Sequence, residues 1–316
     1  MTDAHAEGVR IGIVIPAFNA ARWIGTAIAS VLAQTHTGWS LVVVDDGSID
    51  DTADVVGGFH DPRIRLMRQA NRGVSAARNA GFDVLSPDAK DAVLFLDADD
   101  WLACDALSRL AAAVKASPAA VAASGACSFA DIGLVRCPPS GDLLRRLLVR
   151  NLFANGGHVL LRTPAVRAAG GFLPGLAYGE DWEFWIRIAL QGRFASVPDN
   201  APVLFVRRHG EGAYRRLAAD ADAFAPCMDA IFANPALQAR FGAKRLATIR
   251  RHTGAENDWI IGREQIRHGC RASGLGRLRR SVRRHPTPRR ALLLAAAHVT
   301  PLLPTAWRGP LRPYRA

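Results

Sequence analysis

IGIVIPAFN, residues 11–19, is a run of apolar and branched residues that breaks at a proline and ends on an asparagine. A run this short, bounded by turn formers, predicts a strand buried on both faces of a parallel sheet. LVVVDDGS (41–48) and AVLFLDADD (92–100) repeat the design, with acids where the apolar run stops. Between them, Ile24, Ile28, Val31 and Leu32 recur at helical spacing, as do Val74, Ala77, Phe82 and Leu85. The alternation predicts an α/β chain with an open, mostly parallel sheet, helices on both faces and right-handed crossovers.

Further along, a helix is expected over Leu102–Lys115, capped by Asp99 or Asp100. Residues 117–141, broken by Pro118, Pro138 and Pro139, receive no assignment. A strand is read at His158–Leu161, and a helix at Pro164–Ala169 that stops on Gly170 and Gly171. A second helix is read at Asp181–Ala189, with Trp182, Trp185, Ile186 and Ala189 on one side, then a strand at Ala201–Val206. Beyond about residue 215 the pattern is helical and rich in arginine.

The chain has 316 residues, 49% hydrophobic and 22% charged, which excludes collagen-like, mucin-like and wholly disordered classes. Its net charge of +12 is uneven. From Arg240 onward, 17 arginines and one lysine face three acids, a balance of +15, so the residues before it sum to −3. The two parts therefore have different tasks. Five scattered cysteines without a CxxC pair indicate neither a zinc site nor a disulfide framework. The opening MTDAHAEGVR lacks the pattern of a secretion signal. The longest apolar stretch, 291–307, is interrupted by His298, Pro301 and Pro304, short of the ~20 residues a spanning helix needs. A cytoplasmic protein, soluble or peripheral on the inner membrane face, is expected.

Ligands of open α/β sheets bind outside the carboxyl ends of the strands. That rule selects the loops Pro16–Asn19, Asp45–Ser48 and Asp97–Asp100. The first lacks G-x-G-x-x-G, and no G-x-x-x-x-G-K-[ST] occurs in the chain, which argues against NAD enzymes and P-loop NTPases. Asp97 and Asp99, two apart, share a face while the strand continues. Carboxylates so placed suit a hard divalent ion shared with phosphate oxygens, or else cap the next helix.

Five segments occur in order: IVIPAFNAARWIGTAIASVLAQTH, VVVDDGSIDDT, NRGVSAARNAGF, VLFLDADDWL and GGFLPGLAYGEDWEFW. Together they resemble glycosyltransferase family 2, inverting nucleotide-sugar enzymes of the GT-A (Rossmann-like) fold, over roughly residues 10–210. The resemblance implies that Pro16, Phe18 and Asn19 lie along the nucleoside and that Asp46 accepts a hydrogen bond from a pyrimidine ring N–H. Asp45 is read instead as a turn residue, and Ser48 and Asp50 as turn and N-cap residues before a helix at Thr52–Val56. Gly73 would allow close backbone approach to the diphosphate; Arg78 either reaches a phosphate or is solvated on an amphipathic helix. Asp99 and Asp97 match the D-x-D that holds Mg²⁺ or Mn²⁺, with Asp97 also near the ribose, and His209 is a further metal ligand or a structural histidine. Asp181 matches the general base, with Glu180 orienting the site and Trp182 or Trp185 offering a face to the acceptor.

The implied reaction moves a single sugar from a UDP- or dTDP-type donor to a saccharide or lipid-linked acceptor in cell-surface polysaccharide or glycolipid synthesis. The Q-x-x-R-W of processive relatives has no counterpart, since Gln191-Gly192-Arg193 is followed by Phe194. A catalytically inactive GT-A scaffold and a sugar nucleotidyltransferase are the rival readings. The organisation expected is a catalytic domain at 8–212, with a nucleotide half (8–110) and an acceptor half (111–212), then a helical extension at 213–316. In that extension, ten arginines between Arg263 and Arg290 precede Ala291–Ala297. A basic segment beside an apolar one suits an anionic membrane surface, or else packs as a solvated helical appendage. Nucleic acid is not an expected partner, because no binding motif accompanies the charge.

Overall fold

Each of the three apolar runs folds as a strand, and a strand that its sequence does not announce joins them. In the computed structural model, which describes residues 8–85, 90–129, 133–207, 222 and 224–299, strands and helices alternate from the start. The order is β1 (Ile11–Ala17), α1 (Ala21–Leu32), β2 (Trp39–Asp45), α2 (Thr52–Gly57), β3 (Ile64–Arg68), α3 (Val74–Leu85) and β4 (Ala92–Phe95). Then follow β5 (Trp101–Leu102), α4 (Ala106–Ala116), β6 (Ala120–Ser124), β7 (Ala126–Phe129), β8 (Leu134–Arg136) and the single turn α5 (Leu144–Leu147). β9 (Val159–Arg162), α6 (Thr163–Ala169), α7 (Glu180–Gln191), β10 (Arg193–Ser196) and β11 (Pro202–Val206) complete this part.

A seven-stranded sheet runs β10-β6-β9-β4-β1-β2-β3. Its β3-β2-β1-β4 part is parallel throughout, and β9 lies antiparallel to both β4 and β6. Successive side chains of a strand point to opposite faces, and here both faces are covered. Ile11, Ile13 and Ile15 share a core with Ile24 and Ile28 of α1 and Leu107 and Leu110 of α4. On the other face, Val14 and Val44 meet α3 at Gly81, where a Cβ would lie 2.4 Å from Val14 Cγ1. Only a bare backbone lets α3 approach that closely.

Two expectations change. The helix expected from Leu102 starts at Ala106, because Trp101 and Leu102 pair with Phe205 and Leu204 of β11 in a second sheet, β5-β11-β7-β8. Neither Asp99 nor Asp100 caps it: the N-cap position is Asp105, without a side-chain cap bond. The unassigned stretch after residue 117 supplies β6, β7 and β8.

His158 lies buried just before β9, its Nδ1 2.8 Å from the carbonyl of Gly125 and its Nε2 3.1 Å from the backbone N of Ala154. Nε2 must accept from that N–H, so Nδ1 carries the proton and donates to Gly125. Burial pushes the imidazole pKa down from 6.5 to about 4. The unfolded chain therefore binds this proton at a higher pH than the folded one does. Stability is complete above about pH 6.5 and falls by roughly 1.4 kcal/mol per pH unit as pH drops towards 4. Urea midpoints between about pH 7 and 4.5 should consequently decline less steeply in His158→Asn than in the parent. Parallel declines would refute the assignment.

The chain divides into two compact units, the first comprising the described residues within 1–144, 152–176 and 180–207, the second those within 145–151, 177–179 and beyond 207. The boundary expected at 212/213 and the metal-ligand candidate His209 lie outside the described residues. The second unit contains α8 (Ala225–Ala233), α9 (Pro235–Phe241), α10 (Ala243–Arg267), α11 (Arg271–Arg284) and α12 (Pro288–Val299). α10 and α11 cross through glycines: a Cβ on Gly274 would stand 2.5 Å from the carbonyl oxygen of Gly262. Leu293 and Leu294 of α12 pack with Leu278, Ala297, Trp259, Ile266 and Leu275. Two of the three leucines of this apolar segment are thus half-buried against an internal core, and Leu292, 71% exposed, stays outside it. Among the described residues no helix is long and apolar enough to cross a membrane.

Candidate active site

The chain steps outward from β1 to β2 and β3, then crosses back to place β4 on the other side of β1. β1 and β4 therefore flank the point where strand order reverses, and the crevice outside their carboxyl ends is where such sheets bind ligands. Phe18 and Asn19 follow β1 there, and Asp97–Asp100 follow β4. Pro16 is half-buried within β1, and the Phe18 ring is 52% exposed.

The loops after β1 and β2 are laced together. Asn19, at φ +50°, donates its N–H to Ser48 Oγ (2.9 Å) and accepts the N–H of Ile49 at Oδ1 (3.0 Å). The Asp50 carboxylate accepts the N–H of Thr52, the first residue of α2, and of Ala21, the first of α1. One side chain thereby satisfies a free donor at the start of two helices. Asp45 accepts from the Ser48 N–H and from Arg68 Nε, each at 2.9 Å, in keeping with its expected turn role.

Asp46 is held by the loop that follows β3. Only 3% exposed, it accepts from Gln69 Nε2 (2.7 Å), the Arg72 N–H (2.9 Å) and the Gly73 N–H (2.8 Å). Both oxygens fasten the loop leading into α3, two of the bonds falling on Oδ1 and one on Oδ2. Gly73 takes φ +86° at that contact. Gly47, at φ +78°, brings its turn against the same loop, where a Cβ would sit 2.8 Å from the Asn71 backbone N.

Arg78 is not solvated on its helix. Its side chain is 5% exposed, with Nη2 donating to Asp97 Oδ1 (2.8 Å) and Nη1 to Glu180 Oε1 (3.0 Å). Burial penalises the guanidinium charge, but Asp97, Glu180 and Asp181 outweigh that and raise its pKa above the ordinary value. Its guanidinium carbon also lies 5.0 Å from the ring centre of Phe172. Asn79, one residue on, exchanges two hydrogen bonds with the Phe172 backbone (2.7 and 2.8 Å). α3 therefore grips both the end of β4 and the segment before α7.

Carboxylate oxygens of Asp97, Asp99 and Asp100 lie within 4.8 Å of one another. Asp100 is buried and accepts the Arg207 N–H (2.8 Å) and a bond from Asn155 Nδ2. Burial, then the charges of Asp97 and Asp99, push its pKa well above the usual carboxylate range. Three clustered acids of this kind are hard oxygen donors, a set that fits a divalent cation. Asp97 and Asp99 are the half-buried pair of the cluster. Beside them, Arg207 donates Nε to the carbonyl of Asp99 (3.0 Å), and its guanidinium lies 4.4 and 4.9 Å from the rings of Trp23 and Trp101. No motif pointed to Asn155.

Glu180 and Asp181 occupy the first turn of α7, where negative charge is favourable. Asp181 Oδ1 lies 2.6 Å from the Trp182 backbone N. The helix is locked from below: Arg187 forks onto Glu183 (2.6 and 2.5 Å) and donates to the carbonyls of Ala169 and Gly171. Those carbonyls would otherwise be left over where α6 ends. Trp182 is 2% exposed and Trp185 is also fully interior, so neither ring offers a stacking face to an acceptor. The same inward helical stripe that includes Ile186 and Ala189 accounts for both.

Residues 12–137 match the model of glycosyl transferase family 2. An uncharacterized glycosyltransferase of Nostoc sp. is 42% identical over 95 residues, which are 29% of this chain and 29% of that protein. The Escherichia coli UDP-Glc:alpha-D-GlcNAc-diphosphoundecaprenol beta-1,3-glucosyltransferase WfgD is 39% identical over 95 residues, 29% of this chain and 36% of that protein. The match thus spans about a third of the length of these curated relatives. Among solved structures, the mannosyltransferase PcManGT of Pyrobaculum calidifontis, in complex with GDP-Man and Mn²⁺, superposes with a TM-score of 0.60. It is 18% identical, over 96% of this chain and 83% of that one, and so speaks to the fold alone.

Proposed function

We propose, from the match of residues 12–137 to the model of glycosyl transferase family 2, that this protein transfers a single sugar from a nucleotide-diphosphate sugar to an acceptor hydroxyl with inversion at the anomeric carbon. The observation that carries this reading is Arg78, one buried cation held by Asp97 at the end of β4 and by Glu180 at the start of α7. It ties the acids suited to the donor to the acid suited to the acceptor, in a single crevice.

In this reading Asp181 accepts the proton of the acceptor hydroxyl as that oxygen attacks from the side opposite the leaving diphosphate. Its place in the first turn of a locked helix fixes its aim, and holding the reactants in line supplies much of the acceleration. Arg78 and Asn155 position the acids rather than react. Asp99 and Asp97 would hold Mg²⁺ or Mn²⁺, which when bound neutralises charge on a departing diphosphate. Phe18 and Asn19 would lie along the nucleoside. The donor is of the UDP or dTDP type, a choice supported by the UDP-Glc in the name of WfgD. That relative's diphosphoundecaprenol acceptor supports a lipid-linked or saccharide acceptor in cell-surface glycan synthesis, with the protein at the inner membrane face.

A thermal-shift screen of nucleoside diphosphates, with and without Mn²⁺ or Mg²⁺, tests the reading. Ligand at about a hundred times its Kd should stabilise the chain by roughly 2.7 kcal/mol, and only with the ion present. Asp99→Ala should lose most of that metal-dependent gain. Equal stabilisation of the variant and the parent would remove Asp99 from the donor site.

A further inference from the structure

The helical second unit contains a cleft of about 480 Å³ along α10 and α11. Arg251, Arg280, Arg283, Arg284, His252 and His285 line it, and no acid does. Beneath it lies Asp258, buried, which accepts from Arg277 (3.3 Å), Arg280 (3.1 Å) and Arg284 (2.8 Å). One carboxylate thus gathers three guanidinium groups, and Asp222 pairs with Arg277 as well (3.1 Å), so two acids offset two of their three charges. Arg280 and Arg284 remain about half exposed on the cleft side of that cluster, with Arg251 and Arg283 exposed beside them. Crowding cations of like sign is unfavourable without a counter-ion, the more so in a concave, partly desolvated place.

The two imidazoles stiffen one wall. The His252 and His285 rings stack with centroids 3.9 Å apart and planes 10° from parallel. Arg290 approaches His285 Nδ1 at 3.2 Å and donates to the His285 carbonyl at 2.9 Å, so Nδ1 is an acceptor and the ring proton sits on Nε2. Arg290 is itself held by Glu256. The arginines therefore stand on a fixed frame, not on a mobile tail. Guanidinium forks match phosphate oxygens two at a time, and the volume exceeds what a lone monoatomic anion would use.

We infer that this cleft is a binding site for a phosphate or diphosphate group, separate from the acids of the first unit. The inference does not rest on the glycosyl-transfer reading. The group can belong to a soluble phosphate compound or to a lipid headgroup, and the same chemistry recognises both.

Two probes of the full chain distinguish these sources. In the first, inorganic pyrophosphate is titrated calorimetrically in the presence of EDTA, so that no metal-assisted binding at the Asp97–Asp99 acids contributes. In the second, flotation is compared on phosphatidylcholine vesicles with and without phosphatidic acid. The parent should respond to at least one probe, and Arg251→Gln/Arg283→Gln should weaken that response by about tenfold or more, the scale of losing a charge-assisted hydrogen bond. Both residues are exposed and outside the Asp258 cluster, so the variant should keep the parent's circular dichroism and melting temperature. Arg283→Gln alone should give a smaller loss in the same direction. Asp99→Ala should leave both responses unchanged. A response to pyrophosphate identifies a soluble ligand, and a response confined to phosphatidic acid identifies a headgroup. If the parent responds to neither, or the double variant matches it in both, the inference is overturned.

Discussion

Asp181→Asn is expected to lower sugar transfer by about 10²–10⁴-fold, the usual contribution of a positioned general base. The substitution keeps the shape of the side chain and an oxygen able to accept the Trp182 N–H, so α7 should start where it does now. What disappears is the capacity to take a proton. Nucleoside diphosphate binding with Mn²⁺ should stay within about twofold of the parent, because an effect confined to the transition state leaves ground-state affinity alone. Calorimetry for the donor side and a transfer assay for the acceptor side separate the two. Normal turnover would remove Asp181 from the role of base. Loss of turnover together with loss of donor affinity would instead identify a structural defect.

Arg78→Met should be the most damaging single change to the first unit. It deletes one cation and leaves Asp97 and Glu180 facing each other without it. Breaking a buried pair by removing one partner typically costs about 3–5 kcal/mol. Both acids here retain some exposure, so water screens part of the repulsion, and about 2–4 kcal/mol is the expected loss. For a unit of this size that corresponds to a fall in melting temperature of roughly 5–15 °C. Transfer should be lost as well, since the acids of β4 and α7 no longer share a tether. Arg78→Lys keeps the charge but not the fork, and should recover part of the stability and little of the activity. An Arg78→Met chain that melts with the parent would show that the guanidinium does not bear on the fold.

The strands β1, β2 and β4 are legible because each is a continuous apolar run. β3, with the sequence IRLMR, has only exposed and half-buried residues, as a strand at the sheet's edge can, and hides among its charges. β6 and β7 are AVAAS and ACSF, nearly free of the branched residues that advertise a strand, yet deeply buried. Their placement comes from pairing with β9, β10 and β11, distant in the chain and absent from any local signal.

The acids of the site were legible as well, since they sit where apolar runs end. Their partners were not. Arg78 reads as an arginine on an amphipathic helix because its two carboxylates lie 19 and 102 residues away. The donors that hold Asp46, one side chain and two backbone N–H groups of a loop, were equally hidden. Backbone donors carry no residue identity for a motif to record. Trp182 was drawn towards the acceptor by its neighbours in sequence, while helical periodicity already assigned it to the interior.

The tether between Asp97 and Glu180 also bears on how the protein is made. A ribosome releases β1 through β4 and the whole of α3 well before residue 180, so the nascent sheet must carry Arg78 with one of its two acids still unsynthesised. The second arm of the fork cannot close before Glu180 exists, 102 residues after Arg78. The complete tether is therefore available only once the segment that also contributes Asp181 has been made.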